Sequence, residues 1–552
     1  MKQVRRTHRF QNSFRAIGVL LISGAWFSCA SGDVSGDSSE EGDSTRGASN
    51  KNGANINVGT GASSGSGLST DGNFNGFGGS AEQPVPDWLP EEIEKQQSYR
   101  APVVTGDYLW SANPESGRVA LIRVSELTVR VLSAGLAPTY LTSVSKTDAT
   151  QGALVINAGS SDVTRFKIKQ DVVSQDSVPV HQGANRWSVS TSGKWAVAWS
   201  AEEEGVYLDI VDGLQEITVL RLEESEMKAT RLTIGYRPSA VLIDEMDERI
   251  VVVSEEGISQ IDITSSPQVS EWIKWPTDAL RDVSLDAAGN FALVREAQRN
   301  EVEIIDLKDS SNISKLQFSG RVTDADLSVS GRGAIVVRGA RELHTFDLQE
   351  ILADPTAIDT VTIVGELFGS VELTAQGDTA LVYTTAELSK RVTVVDLSEG
   401  DSFLKYRVIK VPSPVLGAQL TPRGDHAAIL AGDSLGKLAD GFTLISLRNE
   451  RFPRVVGTAG PVSQMALGDG QGIITTASAS GIYEAHVVQF PSLSVRTTPL
   501  ATEPLAVGVL PKLSRGYVAQ RYSEGRITFF EFDTESARTL TGFELSAEVV
   551  DE

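Results

Sequence analysis

Cysteine is almost absent: Cys29 is the single one in 552 residues. With no second thiol the chain has no internal disulfide, so its stability has to come from burial, and a chain this long has ample core to bury. Histidine is nearly as scarce. Past the N-terminus there are His181, His344, His426 and His486, none within metal-ligand spacing of another. The residues therefore point to no metal site and no cofactor. Basic charge is in deficit: 49 Lys and Arg stand against 72 Asp and Glu, a net −23. A surface of that sign repels nucleic acid and anionic lipid headgroups, so DNA and RNA are not expected partners. The N-terminal apolar run, residues 16–27, is 12 residues long, whereas a membrane span needs roughly 20.

What is present at the N-terminus is an export signal. Lys2, Arg5, Arg6, Arg9 and Arg15 form a basic head without an acidic residue, the apolar run follows, and small residues follow that. This order reads as a removable signal peptide rather than a membrane helix. Trp26-Phe27-Ser28-Cys29 resembles the lipobox of bacterial lipoproteins in Ser28 and Cys29 and departs from it in Trp26 and Phe27. The resemblance implies cleavage before Cys29 and lipidation of its thiol, and Ala30 after the cysteine implies sorting to the outer membrane. Ordinary secretion, with cleavage after Ala25 or Ala30, is the alternative. Removing residues 1–28 takes away five positive charges and leaves about −28.

Residues 29–95 are a different material. From Ser31 to Gly79 the chain is dominated by Ser, Gly, Asp and Asn. Too little apolar surface is available there to offset ordering entropy, which predicts a tether with an r.m.s. reach of roughly 40 Å.

From residue 96 to 552 short β-type runs alternate with turn signals, and long helical periodicity is absent. One marker is a small polar turn before a strand. It carries Gly193, Gly289, Gly331, Gly377 and Gly424, with Asp247, Gly470 and Ser514 in the same slot elsewhere. A second marker is a strand ending apolar–polar–apolar, at Arg123, Lys167, Asp209, Asp262, Asp306, Asp347, Asp396, Ser446, Gln489 and Glu531. Both recur every 41 to 54 residues, the size of a four-stranded propeller blade. Ten such units predict an all-β propeller, as one large ring or as two in tandem. The widest spacing of the second marker holds Leu222 to Glu226, read as a surface loop.

The S-x-x-G-x-x-A turns and the strands Val394-Val-Asp-Leu397 and Ile304-Ile-Asp-Leu307 resemble the YVTN/lactonase-like propeller superfamily. The resemblance implies the fold, and it opens a lactonase-type enzyme as an alternative to a binding protein. The residues supply no catalytic set. Gly432-Asp-Ser-Leu-Gly436 matches the nucleophile-elbow string but sits between two strands of one repeat, not before a helix. Gly193-Lys194 and Gly436-Lys437 lack phosphate-loop spacing, and Asp212-Gly213 and Asp469-Gly470 lack the ligand series of a calcium loop. Trp187, Trp195 and Trp199, and Trp272 with Trp275, read as packing between repeats. The longer connections 384–390 and 433–440 are candidate binding loops. The sequence thus predicts an outer-membrane lipoprotein whose propeller is a scaffold for a protein or glycan partner, with Cys29 as its one assigned site.

Overall fold

A computed structural model describes residues 59–60 and 100–543, apart from 146–150, 202–210, 224, 278, 280, 338–341, 364–367, 386–387, 399–405 and 433–439. The segment expected to be a signal peptide, Cys29 and nearly all of the expected tether lie outside the described residues, as do Asp209 and most of the Gly432–Gly436 string.

Forty strands form ten antiparallel sheets of four consecutive strands each. The ten blades span 103–133, 138–179, 186–233, 238–274, 281–317, 322–362, 370–410, 415–457, 462–500 and 504–541. First strands of successive blades approach one another, so they stand innermost. Fourth strands are the most exposed, as in Thr128–Ser133 and Gln268–Lys274. A two-residue strand, Gly59–Thr60, adds to the outer edge of the tenth blade opposite Arg538 and Thr539.

Each sheet is apolar on both faces and needs a neighbour on each side. Ten separate cores fill the ten seams between consecutive blades. The decisive one joins last to first. Leu109, Ala120, Ile122 and Val124 of the first blade pack with Ala506, Tyr517, Phe529 and Phe543 of the tenth. Tyr517 Oη donates to the Pro102 carbonyl at 3.4 Å, and Arg515 donates to the Val124 carbonyl. The chain is therefore one closed ring of ten blades, not two propellers. Among the described residues the first and tenth blades share no strand, so side-chain packing between them closes the ring.

The turn marker has a local cause. In the third, fifth, sixth, seventh and eighth blades a Ser, Thr or Asp begins the turn between the first two strands, and the glycine follows three residues later. Ser190, Asp286, Ser328, Thr374 and Thr421 each accept the backbone N–H that opens the second strand. The glycines sit at φ between +65° and +87°, where a Cβ is strained. Four of them also nest against the preceding blade. A Cβ on Gly424 would overlap Thr374, and those on Gly193, Gly289 and Gly377 would meet Ser145, Leu242 and Arg332. Two of the other turn positions differ: in the fourth blade the left-handed residue is Glu248 rather than Asp247, and Gly470 has no positive φ.

The strand marker is the last residue of the third strand in eight blades, Arg123 and Glu531 among them, and in the second blade Lys167 lies just before the strand's end at Lys169. The third blade corrects one assignment. Its third strand is Glu216–Leu222, which puts the marker at Arg221 rather than Asp209. The extra length of this repeat is the connection after Trp199, which ends in the turn Val211–Gln215. Leu222 to Met227 is only the link to the fourth strand.

Candidate functional site

Antiparallel order puts the first-to-second and third-to-fourth links on one face of the ring. The second-to-third links and the blade-to-blade connections share the opposite face. The two faces differ in chemistry.

The first, the turn face, is tied from blade to blade. Glu245 accepts Thr191 Oγ1 at 2.9 Å and the Ser192 backbone at 3.0 Å. Arg249 reaches the Gly289 carbonyl and Asn290, both at 2.7 Å, and Lys308 pairs with Asp247 at 2.7 Å. Ser330 donates to the Gln376 carbonyl, Arg448 pairs with Asp378 at 2.7 Å, and Asp469 pairs with Arg423 at 3.2 Å. Asp469 is thus a strap between the eighth and ninth blades. A cleft of about 180 Å³ opens at the seam of the first two blades, lined by Tyr108, Arg123, Arg130, Asp171 and apolar neighbours. That is below the ~300–1,000 Å³ of ordinary small-ligand pockets. Its polar groups are spent on one another: Arg123 pairs with Asp171, and Tyr108 Oη donates to the same carboxylate at 2.8 Å. The Tyr108 bond, then Arg123, hold Asp171 below the usual carboxylate range, and burial lifts Tyr108.

The innermost strands carry the groups nearest the ring axis. Half-exposed Ser, Thr and Gln residues such as Thr139, Ser188, Thr323 and Gln464 recur along them. Carboxylates occur in one arc, and each has a partner. Asp282 pairs with Arg295 at 3.2 Å. Asp326 accepts the backbone N–H of Leu327 at 3.0 Å and that of Leu373, in the next blade, at 2.9 Å. Asp324 does the same for Ala325 and Val371. Glu372 accepts Tyr383 Oη at 3.3 Å. Asp324 and Asp326 thus cap inner-edge N–H groups across the seam of the sixth and seventh blades, whereas Asp282 and Glu372 are held within their own blades.

The histidines are packing residues. His181 is fully buried, with Nδ1 2.9 Å from Thr218 Oγ1 and Nε2 3.0 Å from Ser200 Oγ. Burial, and then the Arg231 charge, push it down to about 4. His486 lies between Thr476 and Thr497, and His426 packs on Phe490. Among the described residues no three His, Cys, Asp or Glu side chains gather as a metal site. The tryptophans behave as the sequence suggests: Trp187 reaches the Tyr140 carbonyl of the preceding blade, and Trp195 and Trp199 pack at the seam of the third and fourth blades. Trp272 differs, standing 38% exposed on an outer strand beneath Lys274.

The second face, the loop face, has unspent apolar surface. Leu388 is 73% exposed in the connection 384–390, and Leu416, at the start of the eighth blade, is 47% exposed. Ser389 O accepts the Val415 N–H at 3.0 Å, which holds the two leucines beside one seam. Ile482 stands half-exposed on the corresponding link of the ninth blade. Sequence reasoning marked 384–390 by length and missed Leu416, because an apolar residue in a strand reads as core.

No family model and no curated protein matches the chain. Solved structures resemble it at low identity. A eukaryotic initiation factor is 11% identical over 81% of this chain and 98% of that one, with a TM-score of 0.41. Dihydro-heme d1 dehydrogenase NirN, in complex with DHE, is 13% identical over 68% and 78%, at 0.37. A protein from Desulfotomaculum acetoxidans is 14% identical over 63% and 94%, at 0.34. Likenesses this distant bear on no ligand and no residue role.

Proposed function

We propose that this chain is a lipid-anchored scaffold of the cell envelope that holds a protein or glycan partner on the loop face of its ring. The supporting observation is the apolar cluster of the loop face: Leu388 and Leu416 leave exposed apolar surface side by side at one seam beside the connection 384–390, with Ile482 on the corresponding link of the ninth blade. Surface of that kind marks interaction sites. A lactonase-type enzyme would need free acid–base groups at the axis, and Asp282, Asp326 and Glu372 are each engaged. Cys29, placed after the apolar signal, supplies the anchor.

Two measurements test this. Intact mass of the exported chain should start at Cys29 with an acyl addition that Cys29→Ser removes; an unmodified chain starting at Trp26 or Ser31 sinks the anchor. Crosslinking in intact envelopes should capture a partner that Leu388→Asp with Leu416→Asp loses while the unfolding midpoint stays put. Unchanged capture sinks the loop-face assignment.

A further inference from the structure

The outer rim of the seventh and eighth blades breaks the charge pattern of the chain. Strands Tyr406–Lys410 and Arg454–Gly457, with the loop 447–453 between the third and fourth strands of the eighth blade, lie side by side. Arg407 donates to the Asn449 carbonyl at 2.6 Å and to the Ser446 carbonyl, which fastens the seventh blade's outer strand to that loop. These segments hold Arg407, Lys410, Arg448, Arg451 and Arg454 against one acid, Glu450, and with Arg448 paired to Asp378 the remaining four bases make the rim's charge. The chain as a whole carries 72 acids to 49 bases. Arg451 donates to the Pro491 carbonyl, which spreads the loop toward the ninth blade and leaves its charge without a carboxylate among the described residues.

The same rim holds the most exposed aromatic side chain of the described residues. Phe452 is 93% exposed at the loop tip. Val455 at 48%, Tyr406 at 43% and Val408 at 38% surround the loop on the outer strands. Folding gains nothing from an aromatic ring held in water between two arginines, since burial is what an aromatic contributes.

We propose that this rim docks on an anionic bilayer surface, with Phe452 entering the headgroup region and the basic side chains on the lipid phosphates. The pairing of an apolar tip with flanking arginines is the chemistry of interfacial binding, in which buried apolar area and attraction to anionic lipid add. Charge makes the choice of face. An acidic body is repelled by such a surface, and along this rim the described segments reverse that sign, so the rim can approach. Docking there would set the ring's orientation, which a flexible tether by itself leaves free. It would also stand the loop face, on the opposite side of the ring, away from the lipid. The inference does not depend on the loop-face partner.

The ring's ten cores all lie within residues 101–543, so the body folds without its N-terminal segment. Residues 96–552 are therefore mixed with phosphatidylglycerol-containing vesicles and with pure phosphatidylcholine vesicles, and bound protein is read by co-sedimentation. Binding to the anionic vesicles alone is expected, weakening with added salt. Arg451→Ser with Arg454→Ser should lower the partition coefficient by roughly 30-fold, from about 1 kcal/mol per basic residue. Phe452→Ser should lower it with charge unchanged. Lys228→Ser with Lys315→Ser, which removes equal charge from 56% and 55% exposed sites elsewhere, should not. An unchanged unfolding midpoint in every variant excludes misfolding. Equal binding to both vesicles, or equal losses from the two double variants, overturns the proposal. So does a rim that retains polyglutamate and ignores phosphatidylglycerol, because the patch would then be a protein-docking site.

Discussion

Acidification should loosen the ring through His181, and the structure sets both the sign and the size. Thr218 Oγ1 already accepts the His181 backbone N–H at 3.0 Å, so its proton is free for Nδ1, and the Nε2 proton then donates to Ser200. A neutral ring satisfies every polar atom. A second ring proton would place a positive charge in a fully buried site beside Arg231. Folding thus lowers the His181 pKa from 6.5 to about 4. In that window the unfolded chain binds a proton that the folded chain refuses. The stabilisation is complete above pH 6.5 and is lost as pH falls from 6.5 to about 4, at about 1.4 kcal/mol per unit, or about 3 kcal/mol in all. Burial depresses His344 and His486 as well, against the pull of Glu342 and Glu484, so the wild type alone cannot isolate the term. The comparison is with His181→Gln, which keeps hydrogen-bonding capacity and cannot titrate. Urea midpoints followed by tryptophan fluorescence would be collected from neutral pH to pH 4. The variant starts less stable, and the gap should close by about 3 kcal/mol on acidification. Parallel curves for the two proteins would refute the reasoning.

Further outcomes follow from the seams. Gly424→Ala combines a φ of +66° with overlap on Thr374 and should cost roughly 2–4 kcal/mol in chemical unfolding. Gly470→Ala, with no positive φ and open space around its Cα, should stay within about 0.5 kcal/mol of wild type. Asp326→Ala strips the acceptor from the Leu327 and Leu373 N–H groups, and a loss of about 1–3 kcal/mol is expected, with faster amide exchange at Leu373. Tyr517→Ala empties the core that joins the tenth blade to the first and should cost about 3–5 kcal/mol, with early exchange confined to those two blades if closure rests on that core.

Much of the fold was legible because its determinants are local. The S/T/D-x-x-G turn needs a side-chain acceptor and a left-handed residue within one stretch, so it is readable at the five blades whose first strand turns to the second in this way. The apolar–polar–apolar strand end is likewise written in three adjacent residues. The misplaced marker in the third blade has the opposite origin. The long connection after Trp199 displaced the strand, and Asp209 matched the pattern locally while Arg221 held the position in the sheet. Of the site, sequence showed the long connection 384–390 but neither Leu416 nor the Phe452 rim. Exposure of an apolar residue depends on what the rest of the chain fails to cover.

By itself the sequence determined the unit cell of four strands, the number of units and the acidic balance, since each is a property of a short segment or of a sum. Tertiary structure alone decided that ten units make one ring. Leu109 and Tyr517 are far apart along the chain and meet only after nine other seams have each set their angle, so closure is a property of the accumulated packing. Only the folded ring, too, brings Leu388 and Leu416 side by side at one seam and leaves both in water.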